Sequence, residues 1–433
     1  MTAAAACGLT TDVRGWAVSV SETVEISGHL LDSGVLTRVL DDVREYGGDY
    51  LMERFDVGRD HEDHSYSRIT VTAEEEEILQ RLVMRLQTHG VNPVDPGEVL
   101  LRAAERDGVL PDDFYSTTNL ETVVRLEGHW VPVENPEMDC GLVVTDGRVR
   151  TVPVSDVKAG DRIVCGASGV RVVPLPAPHS ATVEPRFEFM NSRVSSEKPQ
   201  ALLVRRIADQ LREVKAMGHK VLWVGGPALV HTGAAPATVA LVESGFVDVL
   251  FAGNALATHD IEASLYGTSL GVDLAQGRGV EHGHEHHIRA INTIRRCGSI
   301  AGAVEQGVLT SGVMHAVVKA GKRFVLVGSV RDDGPLPDVY TDVLEGQRAM
   351  RAELGGVGFA LMVATMLHSI ATGNLLPASV PLVCVDINPA TVTKLADRGS
   401  SQATGIVTDV GLFLEQLAME LVPEFRTTRA AAQ

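Results

Sequence analysis

Several apolar runs in this sequence stop abruptly at residues that can bind anions or accept hydrogen bonds. The run 358–364 gives way to Thr365, Met366, Leu367 and His368; 380–385 gives way to Asp386; and 404–408 gives way to Asp409, Val410 and Gly411. Upstream, 220–224 feeds Gly225, Gly226 and Pro227, while 247–251 leads into Gly253, Asn254 and Ala255. A glycine turn between strand and helix presents backbone N–H groups at the helix N-terminus, where a phosphate can be held. An acid directly after a strand is placed to accept from ribose hydroxyls. The chemistry these residues point to is nucleotide binding. Neither glycine turn matches G-x-G-x-x-G, so the standard dinucleotide fingerprint is absent. Taken alone, either is a tight turn, and Asp386 doubles as an N-cap ahead of Pro389. Two such turns, with acids at other strand ends, favour the nucleotide.

Other groups offer different chemistry. Arg331–Asp338 carries Asp332, Asp333 and Asp338 with two prolines around Gly334, a stiff acidic loop suited to an amine, to ribose or to solvent. Glu281–His287 is rich in histidine, yet a mixed His/Gly run lacks both the i, i+4 pairing and the Cys/His spacing of metal sites. No metal is expected there; a polar loop entering a helix is. Lys198, Asp139 and Glu188 are the groups to test for proton transfer or substrate contact, although each taken singly also fits an ordinary surface position. Cys7, Cys140, Cys165, Cys297 and Cys384 are scattered without a CxxC pair. Nothing marks Cys140 or Cys384, the two beside candidate residues, as a nucleophile.

Positioning these residues requires a sheet. Short runs rich in valine and isoleucine, bounded by turn residues, read as parallel strands buried on both faces. The carboxyl ends of such strands face one edge, so Thr365, His368, Asp386 and Asp409 are expected together although they are spread along the chain. With 220–224, 247–251 and 324–327 added, about six parallel strands are expected, interleaved with helices over 198–217, 236–244, 260–266, 288–297, 390–397 and 411–421. This gives an α/β nucleotide-binding domain over 187–423, Rossmann-like but without the glycine fingerprint. Ahead of it, residues 15–91 follow the order β-α-β-β-α and read as a small ferredoxin-like module. Thr72 is expected to cap its second helix ahead of the acids Glu74–Glu77. Residues 92–178 read as a small β module, with Asp146-Gly147 suited to a type I′ hairpin and alternate prolines from Pro174 to Pro178 as the linker out.

Composition sets outer bounds. At 433 residues, two or three domains are expected. A net charge of −18 argues against nucleic acid or an anionic membrane as partner. No apolar run reaches the ~20 residues that span a bilayer, and the first residues lack the pattern of a signal peptide. With scattered cysteines, this reads as a cytoplasmic protein with reduced thiols.

At these residues the chain resembles the LOR/SDH-type family, which includes archaeal NAD-dependent ornithine cyclodeaminases and the C-terminal part of cyanobacterial arginine dihydrolase/ornithine cyclodeaminase. The likeness runs from about Val18 to Leu421. It is carried by FYSTTN at Phe114, GNALATHDIE at Gly253, RDDGPLPD at Arg331, TMLHSIATGNLLP at Thr365 and VDINPATVTKLADRGS at Val385. The resemblance implies bound NAD held by Asn254, Ala255, Asp333, Thr365, Met366, Leu367, His368, Asp386, Asp409 and Val410. It also implies a reaction: L-ornithine is oxidised at Cα, the δ-amine attacks the imine, ammonia leaves, and reduction of the cyclic imine gives L-proline with NAD recycled. Arginine hydrolysis is not implied, because the dihydrolase half of the fusion does not match. No catalytic residue carries over on a motif; Lys198 and Asp139, with Asp333 and His368, are the candidates for acid/base work. An opine- or saccharopine-type dehydrogenase with net redox turnover is one alternative reading. A module that senses NAD or an amino acid is another. A homo-oligomer is expected.

Overall fold

The computed structural model describes residues 19–28, 30, 34–58, 63–173, 194–195, 200–270, 272–273, 285–332, 334–397 and 403–425. Contacts divide the chain into two compact units, Met1–Glu134 with Cys140–His179, and Asn135–Asp139 with Ser180–Gln433.

In the first unit, strands Val20–Gly28, Asp49–Asp56, Ser65–Ala73 and Asn92–Pro93 form an antiparallel sheet in the order second, third, first, fourth. Ser65–Ala73 alternates buried and half-buried residues along its whole length, the period-two signature of a sheet with one covered face. Helices Val35–Glu45 and Glu76–Gln87 cover that face, with Val39, Val43, Leu82 and Leu86 packing among Val24, Ile26, Ile69 and Val71. This is the ferredoxin-like arrangement. Thr72 is not the expected cap: it lies within the third strand, and the second helix begins after Glu75 without a side-chain cap. The β module is a seven-stranded sheet. Its hairpin joins Gly141–Thr145 to Arg148–Val152 through Asp146 at φ 51° and Gly147 at φ 74°, both in the left-handed region a type I′ turn requires.

The second unit runs, in order, α1 (Gln200–Ala216), β1 (Lys220–Gly225), α2 (Ala228–His231), α3 (Ala235–Glu243), β2 (Val249–Gly253) and α4 (Asn254–Tyr266). A short hairpin, Thr268–Ser269 with Val272–Asp273, precedes α5 (His286–Cys297), α6 (Ile300–Glu305), α7 (Val313–Lys319) and β3 (Arg323–Val327). The chain ends with α8 (Val343–Glu353), β4 (Val357–Val363), α9 (Leu367–Leu375), β5 (Leu382–Asp386), α10 (Pro389–Asp397), β6 (Ala403–Val407) and α11 (Val410–Leu421). The six strands pair in parallel in the order β3-β2-β1-β4-β5-β6, with the two-residue strands Val339–Tyr340 and Val194–Ser195 at the two edges. That is the doubly wound order of a dinucleotide-binding sheet, with its direction reversing between β1 and β4.

Alternate residues of each strand serve opposite faces. Val221 and Trp223 of β1 pack with α1, α3, α4, α7 and α11. Leu222 and Val224 pack with Met350 of α8, Leu375 of α9 and Leu395 of α10. Burial on both faces is why these strands read as unbroken apolar runs. The helix α4 is unusual in burying Thr258, His259, Asp260 and Glu262. Asp260 accepts from Val313 N and Met314 N at 2.8 and 2.7 Å, tying α4 to the start of α7; burial pushes its carboxyl up to about 6 against these two bonds. No helix among the described residues is long and apolar enough to cross a membrane.

Candidate functional site

The carboxyl ends of the six strands carry the loops singled out in the sequence, and the switch point lies between the β1 and β4 loops. There Gly226 donates to Val363 O at 2.9 Å, and a Cβ built on Gly226 would lie 1.8 Å from Ala364 O. Only glycine lets the two backbones approach so closely. Ala364 itself sits at φ 54°, and the chain then turns through Thr365 and Met366 into α9. Ser369 donates its hydroxyl to Thr365 O, which fixes this turn.

Beyond β2, Asn254 is the first residue of α4 and is buried, while Ala255 beside it is half-buried. The Asn254 Oδ1 accepts from Leu336 N at 3.0 Å and from the Thr258 hydroxyl at 3.3 Å. That side chain therefore orders the Arg331–Asp338 loop, and its amide nitrogen is the end available to a ligand. His368, in the first turn of α9, reaches across to the same place: a Cβ on Gly253 would lie 3.2 Å from its Cε1. Burial holds the His368 imidazole below its usual range, against a hydrogen bond to the Val327 carbonyl and the charge of Asp332, so the ring is neutral at pH 7. The His368 side chain thus links α9, β2 and β3 at the sheet edge. Leu367 beside it is 76% exposed, a large apolar residue left open at a strand end.

Asp386 ends β5, and its Oδ1 accepts from Asn388 N at 2.8 Å, so it does cap the turn into α10 as well as facing the edge. Asp409 is the N-cap of α11, accepting from Leu412 N at 2.8 Å. The Val410 side chain is buried in the core, which leaves its backbone as the part a ligand can use. The structure therefore brings Asn254, Ala255, Thr365, Met366, Leu367, His368, Asp386, Asp409 and Val410 to one edge of one sheet.

Other expectations resolve differently. Of the acidic loop, Asp332 accepts from Ser329 N at 2.7 Å within its own turn, and Asp338 accepts from Ile300 N at 2.8 Å at the start of α6. Asp333, Lys198, Glu188 and His282 lie outside the described residues. Asp139 is exposed, at φ 60°, on the stretch Asn135–Asp139. That stretch is held by Arg351 on Glu137 at 2.7 Å and by Met138 N on Asn374 O at 3.0 Å. Asn374 is six residues along α9 from His368, about 9 Å down the helix. Burial pushes the Cys384 thiol up to about 12, the state of an inert core cysteine. Among the described residues no group of histidine, cysteine and acid side chains could hold a metal ion. His286, the next-to-last residue of the histidine run, bonds Thr268 through Nδ1 at 2.8 Å.

One cluster escaped the sequence reading. His231, His259, Glu262, Ser269 and His286 come together around the start of the hairpin after α4. Their spacing in sequence carries no motif; the one available signal was several polar residues in a helix with no polar face.

The chain is similar to known proteins over most of its length. Residues 205–417 match the family of the arginine dihydrolase ArgZ-like C-terminal Rossmann fold, residues 121–204 the ArgZ-like C-terminal first region, and residues 21–120 the LOR/SDH bifunctional enzyme conserved region. The chain is 52% identical over 401 residues to an ornithine cyclodeaminase of Methanothermobacter thermautotrophicus, covering 92% of this chain and 97% of that one. Among solved structures, apo ArgZ, a cyanobacterial arginine dihydrolase, superposes with a TM-score of 0.81 at 37% identity over 94% of this chain. The chain spans 59% of ArgZ's length. AgrE of Nostoc sp., a bifunctional arginine dihydrolase/ornithine cyclodeaminase solved with ornithine and NAD+, gives a TM-score of 0.51 at 40% identity, covering 94% of this chain and 58% of AgrE. With identity of this extent through both units, the chain belongs to the ornithine cyclodeaminase family that also includes the C-terminal portions of ArgZ and AgrE.

Proposed function

We propose that this protein is an NAD-dependent ornithine cyclodeaminase, an ammonia-lyase that converts L-ornithine to L-proline and ammonia and ends with its cofactor unchanged. The observation that carries the reading is 52% identity to the Methanothermobacter enzyme across 97% of that enzyme's length. When bound, NAD supplies the oxidation at the substrate Cα and the later return of the same hydride.

The residues present fit that cofactor. α4 and α9 both begin at the strand-end edge without side-chain caps, so the first N–H groups at Asn254, Ala255, Leu367 and His368 are donors suited to a pyrophosphate. The second oxygen of Asp386 would accept from ribose hydroxyls, and its charge would repel a 2′-phosphate, which selects NAD over NADP. Thr365 and Met366 line the switch point, and the Asp409–Val410 backbone lies beyond β6. Neutral His368 closes the floor of the edge. Asp333, three residues before Leu336 in sequence, completes the set this reading assigns to the cofactor.

Three further assignments belong to this reading. The chain works as three modules, 15–91, 92–178 and 187–423. It is cytoplasmic, in keeping with four described cysteines that are all free. It forms a homo-oligomer, which light scattering would read directly.

Purified protein with L-ornithine and sub-stoichiometric NAD is expected to release ammonia and proline in equal amounts with no lasting NADH absorbance. NADH rising in step with ammonia would instead identify a dehydrogenase. NAD binding with no ammonia released would identify a sensor.

A further inference from the structure

We propose that His231 is the group that exchanges protons with the substrate's α-amino nitrogen, with Ser269 fixing its ring and the buried Glu262–His259 pair standing behind it. The inference rests on the cyclodeaminase reading above and assigns it a residue that neither the sequence motifs nor the nucleotide-binding loops supply.

The placement comes first. α2 leaves the carboxyl end of β1 directly through Gly226 and Pro227, and His231 is its last residue. The next residue, Thr232, backs the start of α11: a Cβ on Gly411 would lie 2.8 Å from its carbonyl oxygen. His231 therefore sits between the β1 loop and the Asp409–Val410 turn, on the edge where the cofactor residues gather. It is exposed, while the groups behind it are not.

Those groups are built as a proton-handling system. Ser269 Oγ lies 2.8 Å from His231 Nδ1, which fixes the ring and leaves Nε2 for a ligand. The His259 ring lies 5.1 Å from that of His231, centre to centre. His259 Nδ1 is 3.2 Å from Glu262 Oε2, and Glu262 is fully buried. The Glu262 carboxylate also accepts from Thr268 Oγ1 at 2.9 Å and from Leu270 N at 3.1 Å. A buried acid is costly unless paired and hydrogen-bonded. Here three donors satisfy it, and one of them is an imidazole whose tautomer the acid sets. The carboxylate orients His259; His231 takes its own orientation from Ser269 and feels Glu262 through its charge and through the neighbouring His259 ring.

The titratable and charged groups around His231 are His259 and Glu262 on α4, His286 beyond Thr268 on α5, and Asp409 at the start of α11. Although one side of the ring is open, the loss of solvent on the side packed against buried Ser269 and His259, and His259 itself, hold His231 below its usual range, with Glu262 pulling the other way. At pH 7 the ring is neutral and able to accept. The step balances simply: Nε2 takes one proton from the α-ammonium, giving imidazolium and a free amine. The δ-ammonium sheds one proton to solvent before its nitrogen attacks the imine carbon and a second once the C–N bond has formed. The imidazolium returns its proton to the α-nitrogen, which departs as ammonia as its C–N bond breaks.

The test uses the full chain. His231→Gln is expected to lower kcat by roughly 100-fold or more while NAD affinity stays within about twofold, and to remove the acid limb of the kcat/KM profile. Glu262→Gln, which keeps the shape and removes the charge, is expected to move that limb to lower pH. Independently of turnover, the ring 15N signals of His231, identified by their loss in His231→Gln, are expected to shift when L-ornithine is added without NAD. An active wild type with His231→Gln within about threefold of it, or with the acid limb kept, overturns this inference alone. His231 signals indifferent to ornithine do the same. A wild type inactive on ornithine overturns the parent reading and this one together.

Discussion

Replacing Gly226 with alanine is expected to abolish useful NAD binding. The added methyl group would sit 1.8 Å from Ala364 O, 2.6 Å from Ala364 C and 3.1 Å from Thr365 Cβ. The first two are backbone atoms and cannot rotate away. Ala364 is also tied down, donating its N–H to Val385 O at 3.0 Å and holding a left-handed backbone. The β1 and β4 loops must separate, and the crevice they bound is where a doubly wound sheet takes its dinucleotide. Overpacking costs about 1–3 kcal/mol even where side chains can adjust. With backbone in the way, an increase in NAD Kd of roughly 100-fold or more is expected, together with a lower melting temperature. Titration calorimetry and a thermal melt read both. Gly355→Ala is the control, because nothing lies within 4 Å of where its methyl group would stand and its backbone is not left-handed. NAD binding by Gly226→Ala close to that of Gly355→Ala would show that the cofactor does not use this crevice.

Asp386→Asn is expected to weaken NAD binding by about 10–100-fold, the worth of a charged hydrogen bond at about 1.5–3 kcal/mol. Asparagine keeps an oxygen for Asn388 N, so the turn into α10 survives and the melting temperature should barely move. What is lost is the negative charge toward the ribose. The preference for NAD over NADP should narrow at the same time, because the repulsion of a 2′-phosphate goes with the charge. Equal loss for both cofactors would mean that Asp386 serves the turn and not the ribose.

How much of this was legible in the sequence depended on burial. Strands covered on both faces must be apolar throughout, so Val380–Val385 and its counterparts stood out and their order along the chain was right. The hairpin at Asp146-Gly147 was legible because few residue pairs tolerate two left-handed positions. Helix starts were harder. α4 begins at Asn254 and not at Asp260, because Gly253-Asn254 looks like a turn and the buried Thr258, His259 and Glu262 break any amphipathic pattern. α9 was not expected for a related reason: Thr372, Gly373 and Asn374 are weak helix formers, yet all three lie within the helix and Thr372 and Gly373 are buried. The acidic loop left an amine, ribose or solvent open as its partner, and nothing in its sequence signalled that Asp332 and Asp338 bond backbone N–H groups. The His231–His259–Glu262 cluster left only the unpatterned polar residues of α4 as a trace in the sequence, since it is the fold that brings α2, α4 and the hairpin together.

The central claim is that one cofactor takes a hydride from the substrate and gives it back. L-ornithine carrying deuterium at Cα, turned over in ordinary water with sub-stoichiometric NAD, tests it by mass spectrometry of the product. L-Proline that keeps the deuterium at Cα is expected, with ammonia released in equal amount and NADH absent at the end. Proline that has lost its label to solvent, or label accumulating in NADH, would contradict it.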